Sequence, residues 1–182
     1  MELLDIVDEN GVPTGEMVDR EIAHREGIRH RTSHVWLLRE RPDGVEVLLQ
    51  KRSKNKDSHP GCYDISSAGH IPAGVDFIPS AVRELKEELG LIVDEKELIY
   101  CGQRRFCWKD VFYGRLFVDN QVSNVYCLWK DVSTEELTLQ ESEVEEVVWM
   151  NLKKCKELVR ENRIKSCIMM EELELLPEGR ES

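Results

Sequence analysis

The chain has 182 residues, of which 41% are hydrophobic and 34% are charged, a composition typical of a soluble globular protein and not of a disordered or fibrous one. Its 25 basic and 36 acidic residues give a net charge of −11, which disfavours binding to nucleic acid or to an anionic membrane surface. No apolar run approaches the roughly 18 residues that a membrane-spanning helix requires. We therefore expect one domain over residues 1–182, with neither nucleic acid nor a membrane as a partner.

The first residues and the cysteines both favour a cytoplasmic protein. Residues 1–5 carry neither the basic nor the apolar region of a secretory signal. Six cysteines are scattered along the chain without a C-x-x-C pair, a distribution that favours reduced thiols over a disulfide framework or a zinc site.

Apolar runs rich in β-branched residues predict strands along most of the chain. In chain order they cover residues 3–7, 35–38, 45–49, 99–101, 111–118, 122–129 and 144–150. The turn residues at 41–44 predict a hairpin between the second and third strands.

Two helices are predicted. The first covers 78–89, with Asp76 and Pro79 as start signals and Gly90 as the stop. The second follows Asn151, a candidate N-cap. It covers 152–160 and resumes near 167–176, and residues 177–182 form a frayed polar tail. This order of elements, with strands first, one helix in the middle and one helix near the end, predicts an α+β layered sandwich.

The helix over 78–89 is amphipathic. At about 100° per residue, its apolar side chains fall in one sector, which we expect to pack on a core. These side chains are Ile78, Ala81, Val82, Leu85 and Leu89.

Three carboxylates occupy the adjoining sector of the same helix. Glu84, Glu87 and Glu88 are spaced i, i+3 and i+4, where like charges repel. They form either a solvated face, partly neutralised by Arg83 and Lys86, or a site for a divalent cation. Three hard oxygen ligands on a rigid helix suit Mg²⁺ or Mn²⁺ and leave coordination positions for water and a phosphate.

The residues around this helix resemble the Nudix box. The box consists of a glycine, five residues, an acid, seven residues and then Arg-Glu-apolar-x-Glu-Glu-x-Gly-apolar, and residues 69–91 match it from Gly69 onward. One position departs from the pattern, because Val75 stands where the box has its first glutamate. In the family that glutamate partners the box arginine, so we expect Arg83 to be held more loosely and activity to be reduced. Asp76, one residue on, is a candidate substitute.

The resemblance implies a Nudix hydrolase with an α/β/α sandwich and a mixed central sheet. It implies hydrolysis of a diphosphate linkage in a small metabolite, a nucleoside diphosphate linked to another group. Mg²⁺ or Mn²⁺ would be held by the three glutamates Glu84, Glu87 and Glu88 and by the backbone carbonyl of Gly69. Such a cation neutralises diphosphate oxygens and lowers the pKa of bound water, while a carboxylate takes the proton from the attacking water.

The catalytic residues implied by the resemblance are Glu87, Arg83 and a further acid outside the box. Arg83 matches the arginine that orients a catalytic glutamate. For the further acid our candidate is Glu143, which precedes the alternating run 144–148.

Residues 5–74 also resemble the isopentenyl-diphosphate isomerase-like branch of the Nudix proteins. The resemblance lies in the segments 5–11, 24–30, 48–53, 57–61 and 68–70. The isomerase holds a metal with histidines at the positions of His24, His30 and His70, and neutral imidazole is a good ligand for Zn²⁺ or Mn²⁺. We include His70 among the expected metal ligands. For His24 and His30, a second metal site and an ordinary polar role both stay open.

Isomerase chemistry requires proton-transferring groups on both faces of a double bond, a cysteine and a glutamate. Here Ala68 and Gln121 stand at those positions, which favours the hydrolase subset of the branch. An isopentenyl-diphosphate isomerase or other enzyme handling prenyl diphosphates stays the first alternative. The second is a non-catalytic nucleotide-binding module, motivated by Val75, and a homodimer is left open.

Aromatic and basic side chains are interleaved over residues 104–115. They form either ordinary strand packing with solvated cations, or a substrate wall that stacks a base or covers a prenyl chain while arginines hold phosphate. The residues are Arg104, Arg105, Phe106, Trp108, Lys109, Phe112, Tyr113 and Arg115.

Overall fold

The computed structural model describes residues 1–180. Its strands are β1 (Leu3–Val7), β2 (Pro13–Asp19), β3 (His30–Arg41), β4 (Gly44–Arg52), β5 (Tyr63–Asp64), β6 (Ser67–His70), β7 (Ile99–Phe112), β8 (Arg115–Trp129) and β9 (Val144–Asn151). Its helices are α1 (Arg20–Glu26), α2 (Phe77–Leu89), α3 (Leu152–Arg160) and α4 (Met170–Leu173), with short 3₁₀ turns at Glu95–Glu97 and Thr134–Glu136. Within residues 1–180, no helix is long and apolar enough to cross a bilayer.

β3 is the centre of a mixed sheet ordered β5–β4–β3–β8–β7, with β9 paired to β4. On one side β3 pairs in parallel with β8, from His30 opposite Gln121 to Leu38 opposite Trp129. On its other side it pairs antiparallel with β6 along its first half and with β4 at its end. The β3–β4 connection is the hairpin predicted at residues 41–44.

Helices cover both faces of this sheet. Val35 and Leu37 lie in a buried cluster with the apolar side of α2, whereas Trp36 and Leu38 lie in a second cluster with residues of α3 and α4. Successive side chains of a strand point to opposite faces, so β3 alone supplies both cores. The predicted α+β sandwich with a mixed central sheet is confirmed.

α2 follows the predicted helix closely and differs at its first turn. Leu85 and Leu89 are fully buried, but the prediction that Ile78 packs on the core is wrong, because Ile78 is 37% exposed. Phe77, one residue earlier, packs against that core instead. The helix ends at Gly90, whose left-handed conformation lets its N–H reach the carbonyl of Lys86. Asp76 stands at the N-cap, but its side chain makes no capping hydrogen bond.

The β7–β8 hairpin corrects the strand predictions. A single strand over 111–118 is wrong, because the chain reverses at Tyr113 and Gly114, both with positive φ. The strands predicted at 99–101 and 122–129 are parts of these two longer strands.

The two ends of the chain differ most from the prediction. Neither β2 nor α1 was predicted, and α1, with 7 residues, is too short to show a helical period. The helix expected over 167–176 is reduced to α4. Of the predicted tail, 177–180 form neither helix nor strand, and 181–182 lie outside the described residues.

Candidate active site

A cavity of about 510 Å³ lies where α2, β3, β6 and the β7–β8 hairpin meet. Every site residue expected from the sequence lines it, namely Gly69, His70, Arg83, Glu84, Glu87, Glu88 and Glu143. The fold therefore brings residues from three separate parts of the chain to one opening.

The carboxylates of α2 reach different depths in this cavity. Glu88 is the deepest at 4% exposed, and its carboxylate accepts hydrogen bonds from the Ser67 hydroxyl at 2.8 Å and the Ala68 N–H at 3.1 Å. Glu84 lies against Gly69, so closely that a Cβ on the glycine would stand 2.4 Å from its Cδ. The Glu87 side chain is half exposed at the mouth of the cavity.

The two inner carboxylates of α2, half-buried Glu84 and buried Glu88, resist ionisation. Burial, and then the charge of Glu87, raises the pKa of Glu84 to about 7. Burial, and then the charge of Glu84, raises the pKa of Glu88 to about 8, although the donors on Ser67 and Ala68 oppose this. A cation beside them would offset both penalties, and a set of hard carboxylate oxygens suits Mg²⁺ or Mn²⁺.

Arg83 contacts two of these acids directly. Its Nη2 lies 3.5 Å from Oε1 of Glu84, and its Nε lies 3.7 Å from Oε1 of Glu87. Val75 offers no carboxylate, and among residues 1–180 the ion pairs of Arg83 are with these two glutamates and not with Asp76. The arginine is thus tied to its own helix instead of to the preceding loop.

Glu143 immediately precedes β9. Its carboxylate pairs with the ammonium of Lys56 from the loop after β4, and its side chain stays 35% exposed. Its charge contributes to the raised pKa of Glu84, because the two carboxylates face the same cavity.

A second group of ligating side chains lies beside the carboxylates. One ring nitrogen from each of His24, His30 and His70 lies within 4.8 Å of the others, and we call these three residues the histidine cluster. Nε2 of His24 is 3.2 Å from Nε2 of His70. Oδ1 of Asp119 lies 3.7 Å from Nε2 of both His24 and His30. His70 therefore groups with the other histidines and not with the α2 carboxylates.

The state of the histidine cluster suits a metal ion. His30 donates from Nδ1 to the Ile28 carbonyl at 2.9 Å, while its fully buried Nε2 has no hydrogen-bond partner among the described residues. Burial, followed by neighbouring positive charge, lowers the pKa of His24 to about 3 and depresses the pKa of His70 as well. Neutral imidazoles with an unused lone pair fit Zn²⁺ or Mn²⁺.

Three of the aromatic and basic residues in the segment 104–115 form one wall of the cavity. Arg104, Phe106 and Trp108 alternate along β7, so the pleat turns all three toward the cavity. Arg105 points the other way and donates to the Glu9 carbonyl at 3.2 Å. Tyr113, at the hairpin tip, donates to the Lys56 carbonyl at 2.9 Å.

The sequence did not predict several of the cavity residues, among them Asp119, His34 and Glu172. Asp119 lies two residues before Gln121 on the same face of β8, and the strand period could have identified it. His34 and Glu172 are buried together, with Nδ1 of His34 2.9 Å from Oε1 of Glu172. No local pattern links these two residues, which belong to β3 and α4.

Comparisons with known proteins find relatives of this chain. The NUDIX domain family matches residues 28–168. Nudix hydrolase 3 of Arabidopsis thaliana is 39% identical over 153 residues, which are 82% of this chain and 19% of that protein. An uncharacterized Nudix hydrolase of Clostridium acetobutylicum is 36% identical over 143 residues, which are 79% of this chain and 66% of that protein. The chain thus spans less than two thirds of either relative's length.

A solved structure shows the same fold. The crystal structure of DR0079 from Deinococcus radiodurans superposes with a TM-score of 0.68, covering 95% of this chain and 98% of that one at 18% sequence identity. His24 and Glu172 lie outside the residues matched by the NUDIX domain family.

Proposed function

Because the chain belongs to the Nudix family, we propose that it is a metal-dependent hydrolase that cleaves a diphosphate linkage in a small metabolite, a nucleoside diphosphate linked to another group. The observation that carries this proposal is the convergence of Glu84 and Glu88 with Gly69 in one cavity, where half-buried Glu84 and buried Glu88 both have raised pKa values. Placing carboxylates where they resist ionisation costs free energy of folding, so such groups in a cavity usually mark a binding or catalytic site.

Glu84, Glu87, Glu88 and the carbonyl of Gly69 would hold Mg²⁺ or Mn²⁺. When bound, such a cation neutralises diphosphate oxygens and lowers the pKa of a coordinated water. Ser67 and the Ala68 N–H hold the Glu88 carboxylate in place through their hydrogen bonds.

Three further side chains around this site would act on the attacking water, the carboxylates of α2 and the substrate. Glu143 takes the proton from the attacking water, and the Lys56 ammonium keeps its carboxylate directed into the cavity. Arg83 positions Glu84 and Glu87 by pairing with both. Lys56 also brings positive charge to the cavity of a chain whose net charge is −11, which favours an anionic substrate.

We place the chain in the hydrolase subset of the isopentenyl-diphosphate isomerase-like branch. The histidine cluster supports this placement, and together with Asp119 it would hold a second metal, Zn²⁺ or Mn²⁺. Ala68 and Gln121 both line the cavity, and neither can transfer a proton. Nε2 of Gln121 donates a hydrogen bond to Oδ1 of Asp119 at 2.5 Å, so the Gln121 amide holds that carboxylate in place. Isomerase activity is therefore disfavoured.

A coupled phosphate-release screen tests the proposal. The purified 182-residue chain is incubated with Mg²⁺ or Mn²⁺ and with ADP-ribose, nucleotide sugars, dinucleoside polyphosphates, coenzyme A or prenyl diphosphates. Turnover that requires the cation supports the hydrolase. Thermal stabilisation by ADP-ribose with no turnover on any substrate would identify a binding module instead. Isomerised isopentenyl diphosphate without released phosphate would identify an isomerase.

A further inference from the structure

We propose that a chain of hydrogen bonds running from Glu172 through His34, Thr32 and Gln121 to Asp119 sets the metal affinity of the histidine cluster. This inference rests on the metal site proposed for that cluster. It assigns a function to α4, which lies beyond the residues matched by the NUDIX domain family.

The connections are continuous and buried. Oε1 of Glu172 is 2.9 Å from Nδ1 of His34, whose Nε2 is 3.2 Å from Oγ1 of Thr32. Oγ1 of Thr32 is 3.0 Å from Oε1 of Gln121, and Nε2 of Gln121 is 2.5 Å from Oδ1 of Asp119. All five residues are at most 9% exposed, and all of them line the cavity.

The direction of the first bond follows from the chemistry of Glu172. Its carboxylate also accepts from Nε1 of Trp36 at 2.7 Å and from Arg104 at 3.0 Å, so it acts as an acceptor throughout. His34 must therefore donate from Nδ1. Burial alone would lower the pKa of His34, but the charge and hydrogen bond of Glu172 raise it, with Asp64 adding to the effect and Arg104 opposing it. A protonated ring donates from Nε2 as well.

The remaining bonds must then point the same way. The Thr32 hydroxyl accepts from His34 and from Ser123, whose Oγ lies 2.5 Å away, and donates its own proton to the Gln121 carbonyl oxygen. Oγ of Ser123 also lies 3.2 Å from that oxygen, and the two neighbouring hydroxyls fix which end of the amide faces them. The amide nitrogen is left to donate to Asp119. Every donor thus points from α4 toward Asp119.

The end point of this chain is the acid beside the histidine cluster. The Gln121 bond holds Oδ1 of Asp119 at 3.7 Å from ring nitrogens of His24 and His30. Three neutral imidazoles carry no charge, so an oriented carboxylate at this position supplies the negative charge that a divalent cation favours. Hydrogen-bond partners behind metal ligands change metal affinity by roughly 10–100-fold.

Two pairs of variants isolate the hydrogen-bond chain from the shape of the pocket. Thr32→Val removes the central hydroxyl, and Thr32→Ser retains it. Glu172→Gln removes the negative charge at the α4 end of the hydrogen-bond chain. Glu171→Gln is its matched control, since the Glu171 side chain is 72% exposed and also pairs with Arg104.

The experiment is a Co²⁺ titration of the 182-residue chain, first stripped of metal and then kept in saturating Mg²⁺, followed by calorimetry and by visible absorption. Mg²⁺ prefers the oxygen ligands of α2 and leaves the imidazoles to Co²⁺. We expect Thr32→Val and Glu172→Gln to raise the Kd for Co²⁺ by up to roughly 10-fold, the lower end of the effect of a direct partner, because both act on Asp119 through Gln121. Thr32→Ser and Glu171→Gln should bind like the wild type. If Glu172→Gln does not fold, the two Thr32 variants decide.

A second measurement tests the direction of the chain without a metal. ¹⁵N NMR of the histidine rings should show His34 protonated on both nitrogens at neutral pH. A neutral His34, or variants that all bind Co²⁺ as tightly as the wild type, would overturn the inference. If the wild type binds no Co²⁺, the metal site proposed for the histidine cluster is wrong as well. The hydrolase proposal is tested separately, by the phosphate-release screen.

Discussion

Gly69 and Glu84 approach each other so closely that a Cβ on the glycine would stand 2.4 Å from Cδ of the glutamate. Gly69 is not among the glycines with positive φ, so its backbone conformation is open to other residues. The glycine is required by the neighbouring carboxylate and not by a turn. This contact joins β6 to α2 at the centre of the proposed cation site.

Gly69→Ala should therefore impair catalysis more than folding. The new methyl group would push the flexible Glu84 carboxylate aside, and misplacement of about 1 Å costs roughly 100-fold in rate. Phosphate release at saturating Mg²⁺ measures the loss, and thermal unfolding should show little change. Gly179→Ala, at a position with no atom within 4 Å of the added carbon, is the control. Full activity in Gly69→Ala would contradict the assigned role of Glu84.

Glu87→Gln should lower turnover by orders of magnitude, because it removes one of the carboxylates proposed to hold the cation that activates the attacking water. The fold should be retained and slightly stabilised, because one carboxylate of a repelling group is removed. Steady-state rates with Mg²⁺ measure the effect. Glu135→Gln, at an exposed position away from the cavity, should behave like the wild type. An unchanged rate in Glu87→Gln would show that this carboxylate is dispensable.

Glu88 makes the metal-free protein less stable as the pH rises. Its carboxyl has a pKa of about 8 in the folded chain against an ordinary 4.5, so between these values the folded state binds more protons than the unfolded state. Stability is then lost as the pH increases through this window. Relative to Glu88→Gln, the wild type in EDTA should lose at least about 3 °C of Tm between pH 5 and pH 8, equivalent to ~1 kcal/mol.

The cation provides the control for this pH effect. Mg²⁺ added at pH 8 should recover the lost Tm in the wild type, because it binds the ionised carboxylates, and should do much less in Glu88→Gln. Melting curves of the two proteins that stay parallel from pH 5 to pH 8 would argue against a raised pKa at Glu88.

Leu85→Ala should destabilise the chain by about 2–5 kcal/mol, because it leaves a cavity beneath α2 at a fully buried position. Ile78→Ala on the same helix is the matched comparison, since Ile78 is 37% exposed and its loss should cost within ~0.5 kcal/mol. Urea unfolding monitored by tryptophan fluorescence compares them. Equal losses would mean that the first turn of α2 packs more tightly than its exposure indicates.

The sequence alone predicted α2, its buried face and the position of its carboxylates. Each of these depends on residues a few positions apart, where helical periodicity and terminal glycines act locally. The same local reasoning was wrong at Ile78, because the end of a helical face packs only if another element reaches it. It also missed the reversal at Tyr113, where a residue other than glycine adopts a left-handed conformation.

Contacts across the sheet were decided by the tertiary structure. His34 and Glu172 are 138 positions apart, and Thr32 and Gln121 are 89 apart. The parallel register of β3 against β8 and the docking of α4 bring these side chains together. Strand order and register are set by how all the apolar faces are buried at once, a condition that no short segment contains. The carboxylates of α2 could therefore be identified from the sequence, and the hydrogen-bond chain behind the histidine cluster could not.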